Sequence, residues 1–345
     1  MPHHLLQVSI LILTVGSFSR EHWNLIGMSM TIAAIGECML ELSKTSGVPA
    51  SAFSRPVNLA FGGDSLNTCI YLARLGLTPS YVTVLGDDPL SLWMAECWRQ
   101  EGIDCSRVRH ANGELPGLYF IETDEEGERS FFYWRDRAPV KRLLDEESAA
   151  AELFETLGSV SMLYVSGITL AVLTEASRER LMAWLPTYRA AGGQVAFDNN
   201  FRPKLWRSLE EARNVYRAMY GMTDLALPTL EDEVALFGEM SVDELIGELS
   251  ALGVTEIAVK QGEHGCRVFG AGVDEHIPVV TTNVVDTTSA GDSFNAGYLA
   301  GRARGMAQAD AARIGSELAS LVIQHRGAIV PAILSKRIAK LLPGG

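Results

Sequence analysis

Cysteine is sparse and unpatterned in this chain. Its five residues, Cys38, Cys69, Cys97, Cys105 and Cys266, form no C-x-x-C pair, and their number is odd. That argues against a disulfide framework and a cysteine-held zinc site, and makes a reducing cytoplasm the expected compartment. The seven histidines show neither H-E-x-x-H nor H-x-E spacing, so protein-held catalytic zinc is not expected. Positive charge is also short. With 29 Lys and Arg against 42 Asp and Glu the net charge is −13, and the clustered cations that nucleic acid demands are missing. An anionic substrate would need arginines placed locally. The early apolar run "LLQVSILILTVGSF" has 14 residues, too few to span a bilayer, so no membrane partner is expected. It has no preceding Lys or Arg and no A-x-A-like site after it. Residues 1–30 are therefore expected to be an N-terminal extension, because a strand pattern starts directly after Met28 and Met30 with "TIAAIGE".

What the chain does have is material for a large core: 345 residues, 47% of them hydrophobic and 21% charged. From Thr31 onward short apolar runs rich in β-branched residues alternate with segments of helical period, the pattern of a parallel sheet covered by helices. The strands read "TIAAIG", "SYVTVLG", "MLYVSG", "QVAFDNN", "DLALP", "EIAVKQG" and "CRVFG". Helices are expected over Leu66 to Leu75, Thr174 to Ala191, Leu209 to Tyr220, Val242 to Leu252 and Gln308 to Gln324.

Two segments break this rhythm. One is "MLELSKTSGVPASAFSRPVNLAFGG"; the other, "GLYFIETDEEGERSFFYWR", reads as a hairpin turning at "DEEG". Together they suggest a small antiparallel lid, formed by residues 39–60 and 113–137, on a large domain formed by 31–38, 61–112 and 138–345. A period of two puts Tyr119 and Ile121 on one face, and Phe131, Tyr133 and Arg135 on one face of the returning strand. Phe132 and Trp134 point the other way. One face then covers a ligand and the other a partner or second lid, or the hairpin is an ordinary edge with a mixed core.

In open α/β sheets ligands sit at the carboxyl ends of the strands, and those ends are polar here at Glu37, Asp64, Asn199, Asn200, Thr229 and "DTTSAGD". Each alone has a plain explanation, such as Asp64 at the start of a helix. The run "VVDTTSAGDSFNAGYLAG" adds a puzzle: Gly291, Gly297 and Gly301 lie in or beside a helix, where glycine costs on the order of 1 kcal/mol relative to alanine. Something must approach that backbone closely. Ser289, Ala290, Gly291 and Asp292 bridge a strand-like segment and a helix start, so their amides can converge on an anion. Asp292 would stand beside that anion with its carboxylate able to take a proton. The chemistry suggested is phosphoryl transfer to an alcohol; a tight turn with a helix-end charge is the alternative.

At this point the residues resemble a known family. "FGGDSLNTCIYLARLG" with "VLGDD", and "DTTSAGDSFNAGYLAG", are similar to the two signatures of the PfkB (ribokinase-like) carbohydrate kinases, and the likeness runs from about Thr31 to Pro331. "GECMLELS", "LPGLYFIET", "FFYWR", "FDNNFRPKLW" and "VIQHRGAIVP" point within it to members that act on 2-keto-3-deoxygluconate. The resemblance implies a three-layer α/β/α sandwich with a mostly parallel central sheet and a small β-sheet lid. It implies Asp292 as catalytic base and the amides of Ser289, Ala290 and Gly291 as an anion hole, with Ser289 standing where many relatives have glycine. Gly62, Gly63, Asp64 and Asn67 would hold sugar hydroxyls; Tyr119, Tyr133 and Arg135 would close over the acid, joined by Arg202. Lys260, Gly262, Gly265 and Asp286 would serve the nucleotide. The family's N-x-x-E motif survives only as "TLED", Thr229 to Asp232, leaving Asp232 and neighbouring Glu233 as metal candidates.

The reaction so implied is ATP- and Mg²⁺-dependent phosphorylation of the 6-hydroxyl of the sugar acid, with a monovalent cation left open. The partners implied are the sugar acid, ATP and a second copy of the chain through the lid. The alternatives are a family member acting on a neutral sugar such as ribose or fructose, and a non-catalytic sugar or nucleotide sensor.

Overall fold

The computed structural model describes residues 30–45, 53–123, 129–280 and 282–343. The N-terminal extension and the expected "DEEG" turn lie outside them.

β1 (Ile32–Ile35) is buried on both faces and sits between β4 (Ser80–Gly86) and β8 (Met162–Ser166), parallel to each. The sheet continues on one side through β5 (Val108–Ala111). On the other it runs through β9 (Gln194–Asp198), β10 (Leu225–Ala226) and β11 (Glu256–Lys260), all parallel. β12 (Cys266–Gly270) and β13 (Val273–Ile277) finish that edge antiparallel. Strands with helices on both faces read as continuous apolar runs, which is why "IAAI" and "MLYVS" carry no polar alternation.

The alternation goes instead into two cores. Ile32, Ala34, Met162 and Tyr164 face one layer, Ala33, Ile35, Leu163 and Val165 the other. The first layer contains α1 (Asp64–Arg74), α2 (Pro89–Glu101), α9 (Ala290–Ala303), α10 (Gln308–Val322) and α11 (Ala332–Ala339). The second contains α3 (Glu147–Leu157), α5 (Glu175–Ala190), α6 (Leu209–Tyr220), α7 (Leu230–Phe237) and α8 (Val242–Ala251). A short α4 (Gly167–Val172) follows β8 directly, capped by the Ser166 hydroxyl accepting from the Thr169 amide. This is the three-layer sandwich expected.

A second sheet has the order β3 (Val57–Gly62), β2 (Met39–Lys44), β6 (Leu118–Thr123), β7 (Arg129–Trp134). It is mixed, whereas the sequence suggested a purely antiparallel lid: β2 and β6 run parallel. The large sheet explains this. β2 leaves the end of β1 and β6 follows β5, and β1 and β5 both run parallel to β4, so their continuations emerge in the same direction. Cross-strand pairing puts Glu41, Tyr119 and Tyr133 on one face of this sheet with Gly62, and Leu42, Leu59, Phe120 and Phe132 on the other.

Candidate active site

The chain moves from β1 outward to β4 and β5, then returns to β8 on the opposite side of β1. That reversal makes β1 a topological switch point, and the crevice outside the carboxyl ends of the strands beside it is where open α/β sheets bind ligands. The polar residues collect there. Asp64 begins α1, with the extended Gly63 before it, and Asp64 Oδ2 accepts from Asn200 Nδ2 at 2.9 Å. Asn67, one turn on, donates through Nδ2 to Asp292 Oδ2 at 2.9 Å.

Asp292 lies in the first turn of α9, whose cap Ser289 adopts φ 64°. The left-handed cap turns the chain sharply, so Gly291 and Asp292 sit where a helix has no carbonyl four residues back to bond their amides. The N-terminal dipole adds partial positive charge at the same spot. Asp292 is only 9% exposed. Burial first, then the charge of Asp64, pushes its carboxyl up to about 7, with the Asn67 hydrogen bond opposing. A group so poised takes up or gives up a proton near neutrality.

The three helix glycines divide. A Cβ on Gly291 would lie 3.6 Å from Lys260 Nζ, so this glycine faces the crevice. A Cβ on Gly297 would lie 2.7 Å from Gly315 Cα, and one on Gly301 2.9 Å from Ala311 Cα. The close approach at those two is by α10, a packing requirement, not a ligand's.

Lys260, at the end of β11, donates to Asp198 Oδ1 at 2.9 Å and to Asn295 Oδ1 at 3.1 Å. Asn295 Nδ2 donates in turn to the Tyr164 hydroxyl at 3.0 Å. Asp198, Asn295 and Tyr164 are absent from the sequence-derived set. Asp198 had a signal, being a polar residue at the end of an apolar strand like Asn199 and Asn200 beside it. Gly262, at φ 54°, opens the turn after β11, and Gly265 closes it at φ 87°, where a Cβ would strike Ile277 O at 2.2 Å. Asp286 accepts from the Thr288 amide and hydroxyl and from the Gly327 amide at 2.8 Å, tying the approach to α9 to the segment after α10.

The two metal candidates point apart. Asp232 accepts from the Phe201 amide at 3.2 Å and pairs with Arg202 Nη1 at 3.5 Å; burial raises its pKa. Arg202 itself is half exposed and donates to the Phe201 carbonyl at 2.8 Å. Glu233 is turned inward, its Oε1 accepting from the Tyr220 hydroxyl and from Asn199 Nδ2, and burial pushes it up to about 7. Among the described residues no group of three or more His, Cys, Asp or Glu gathers as a metal cage.

From the second sheet, Tyr119 donates to Glu41, and its hydroxyl lies 2.6 Å from where a Cβ on Gly62 would be. A side chain at position 62 would therefore displace that hydroxyl. Arg135, one residue past β7, lies over the Tyr133 ring at 5.7 Å and pairs with Glu37, the second residue past β1 on the crevice side. Arg135 and Arg202 share no direct contact, but each stands near an acidic group of the crevice, Glu37 and Asp64 respectively.

An amide-rich helix start, a buried carboxylate and a two-sheet architecture are together the features of a carbohydrate kinase. The chain belongs to the pfkB family carbohydrate kinases, whose model matches residues 30–334. Kinases of this family use ATP. Its relatives include 2-dehydro-3-deoxygluconokinase of Escherichia coli strain K12, 48% identical over 314 residues, covering 88% of this chain and 98% of that protein. The protein of the same name from Dickeya dadantii is 45% identical over 309 residues, covering 87% and 96%. Among solved structures, a 2-dehydro-3-deoxygluconokinase from Thermotoga maritima superposes with TM-score 0.76 at 22% identity, covering 90% of this chain and 99% of that one.

Proposed function

We propose that this kinase transfers the γ-phosphoryl group of ATP to the 6-hydroxyl of 2-keto-3-deoxygluconate, the sugar acid also called 2-dehydro-3-deoxygluconate. The observation that carries the reading is Asp292, a buried carboxylate with a pKa near 7 at the amide-rich start of α9. Asp292 takes the proton from the 6-hydroxyl as that oxygen attacks the γ-phosphorus. The new O–P bond forms as the bond to the bridging oxygen breaks, and ADP leaves with the electron pair. The amides of Ser289 and Gly291 face the charge that develops, whereas the Ala290 amide, also expected there, is committed to the Thr287 carbonyl at 3.1 Å. The Ser289 hydroxyl lies buried beside the Asp292 carboxyl and, with Asn67, counters the rise in its pKa. Lys260 and the turn from Gly262 to Gly265 serve the nucleotide, with Asp286 holding the chain before α9.

The same residues fit Mg²⁺ if it is held mainly by phosphate and water oxygens, as that ion prefers. When bound, it neutralises phosphate charge. Asp232 is the carboxylate assigned to its side; Glu233, committed to Tyr220 and Asn199, supports the strand end.

Gly62, Gly63, Asp64 and Asn67 hold the sugar, and Tyr119 and Tyr133 cover it. A protein at −13 repels a carboxylate at long range, so the acid needs dedicated cations, supplied by Arg135 and Arg202. The relatives of like name at 45–48% identity support this substrate over neutral sugars. We assign the protein to the cytoplasm, where ATP and its five free thiols are at home. No described helix is long and apolar enough to cross a membrane. The outer face of the lid exposes Val57, Leu59, Phe132 and Trp134, and a second copy of the chain is its proposed cover.

The deciding experiment is a panel of acid and neutral sugars read by ADP release, with the product phosphate located by NMR. The sugar acid is expected to give the highest kcat/KM, and Arg135→Lys to reduce the acid-over-neutral ratio by about tenfold or more, since lysine offers no parallel pair of donors. A neutral sugar in first place, or an untouched ratio, refutes the assignment.

A further inference from the structure

Glu37 has no role in the phosphoryl transfer just described, yet the fold goes to some length to fix it. It is 3% exposed. One carboxylate oxygen accepts from Arg135 Nη2, and the other, Oε1, is buried with no hydrogen-bond partner. Burial raises its pKa, with Asp64 adding to the rise and Arg135 opposing it.

A buried ion pair with an unpaired oxygen is a poor device for stability, because well-packed apolar residues of the same volume would do as well or better. The backbone around Glu37 is tightly confined. A Cβ on Gly63 would strike Glu37 O at 2.1 Å, and one on Gly36 would lie 1.8 Å from Ser65 Oγ. A Cβ on Gly117 would lie 2.8 Å from Met39 Cγ and 3.3 Å from Glu37 Oε1. Glu37 is therefore held rigidly on the large sheet, while Arg135 reaches it from the end of a lid strand whose aromatics Phe132, Tyr133 and Trp134 are exposed.

We propose that Glu37 is a positioning residue for sugar-acid recognition, its carboxylate fixing the Arg135 guanidinium over the crevice so that the substrate's carboxylate meets a pre-oriented pair of donors. Ordering a long, many-rotamer side chain before the ligand arrives removes that entropy from the cost of binding. Glu37 thus acts through Arg135 and touches neither phosphate nor base. The inference rests on the sugar-acid reading of the site.

The test is a double-mutant cycle in the full-length protein, with KM for 2-keto-3-deoxygluconate, KM for ATP and kcat measured separately. Glu37→Ala is expected to raise KM for the acid by about tenfold, with kcat within about threefold and KM for ATP unchanged. Glu37→Gln, which keeps an acceptor for the guanidinium, should recover KM to within about threefold of the unmodified protein. Arg135→Ala should raise KM further, and adding Glu37→Ala to it should cost nothing more, because the residue Glu37 acts on is gone. Losses that simply add, a Gln variant as impaired as the Ala variant, or a fall in kcat with KM unmoved would each overturn the proposal. Should Glu37→Ala not fold, Glu37→Leu fills the volume and completes the same cycle. Failure of the substrate reading shows elsewhere, in an unmodified protein that turns over a neutral sugar faster.

Discussion

Replacing Asp292 with asparagine should move activity and stability in opposite directions. The swap keeps size and shape but removes the proposed base, so kcat should fall by about 10²–10⁴-fold. The stability side follows from the carboxyl's pKa, which rises from 3.8 in the unfolded chain to about 7 in the fold. Between those values the folded protein binds more protons than the unfolded one, so stability is lost as pH rises through that window. Above it the buried charge is a full penalty. A displacement of about three units corresponds to at most on the order of 4 kcal/mol, and the exchange of a carboxylate for an amide opposite Asn67 reduces the gain to on the order of 2–4 kcal/mol. With an unfolding entropy of roughly 0.7 kcal/mol/K for a chain this long, Tm should rise by about 3–6 °C at pH 8. At a pH of about 5.5 roughly half of that gain should remain, and near pH ~4 almost none. Differential scanning calorimetry of both proteins across this range, paired with ADP-release kinetics, reads both effects. A Tm gain that does not shrink with falling pH, or a loss of stability at pH 8, would refute the claim that the base is kept at the expense of the fold.

Gly291→Val should reduce ATP turnover by about 10²-fold with little effect on sugar affinity, because its branched carbons fill the space before Lys260 Nζ and the helix amides; a folded variant with unchanged kcat removes the anion hole from the mechanism. Trp134→Glu, at a residue 62% exposed on the outer face of the lid, should shift the assembly toward monomer in sedimentation at micromolar concentration, and an unchanged molar mass would place any contact between copies elsewhere.

The inner parallel strands of the large sheet were legible because burial on both faces writes them as unbroken apolar runs, whereas β5, the half-exposed "VRHA" at the edge, was missed. The hairpin was legible because two aromatic-rich runs of strand character flank the turn signal "DEEG". β13 was not. Its "VDEHI" has three exposed polar residues, and it pairs with β12 only because Gly270, Ala271 and Gly272, all at positive φ, turn the chain back. The direction of the lid strands was also illegible locally, since it is inherited from strands of another sheet. At the site, the signature residues could be picked out one by one, but their partners could not. Asn67 meets Asp292 across 225 positions and Lys260 meets Asp198 across 62, and such pairings exist only once the sheet order brings strand ends together. The helix glycines show the limit most plainly: identical residues in one helix, one open to the crevice and two pressed against a neighbour.

That neighbour makes α9 and α10 a single beam. With Gly297 on Gly315 and Gly301 on Ala311, backbone meets backbone at both points, so the segment bearing Asp292 cannot be shimmed or slid without moving both helices. For anyone re-engineering the enzyme toward a new sugar, the beam is the part to leave alone. Libraries confined to β2, β6, β7 and position 135 alter what is delivered to the reaction centre, whereas a single methyl added at Gly297 would misalign the centre for every sugar alike.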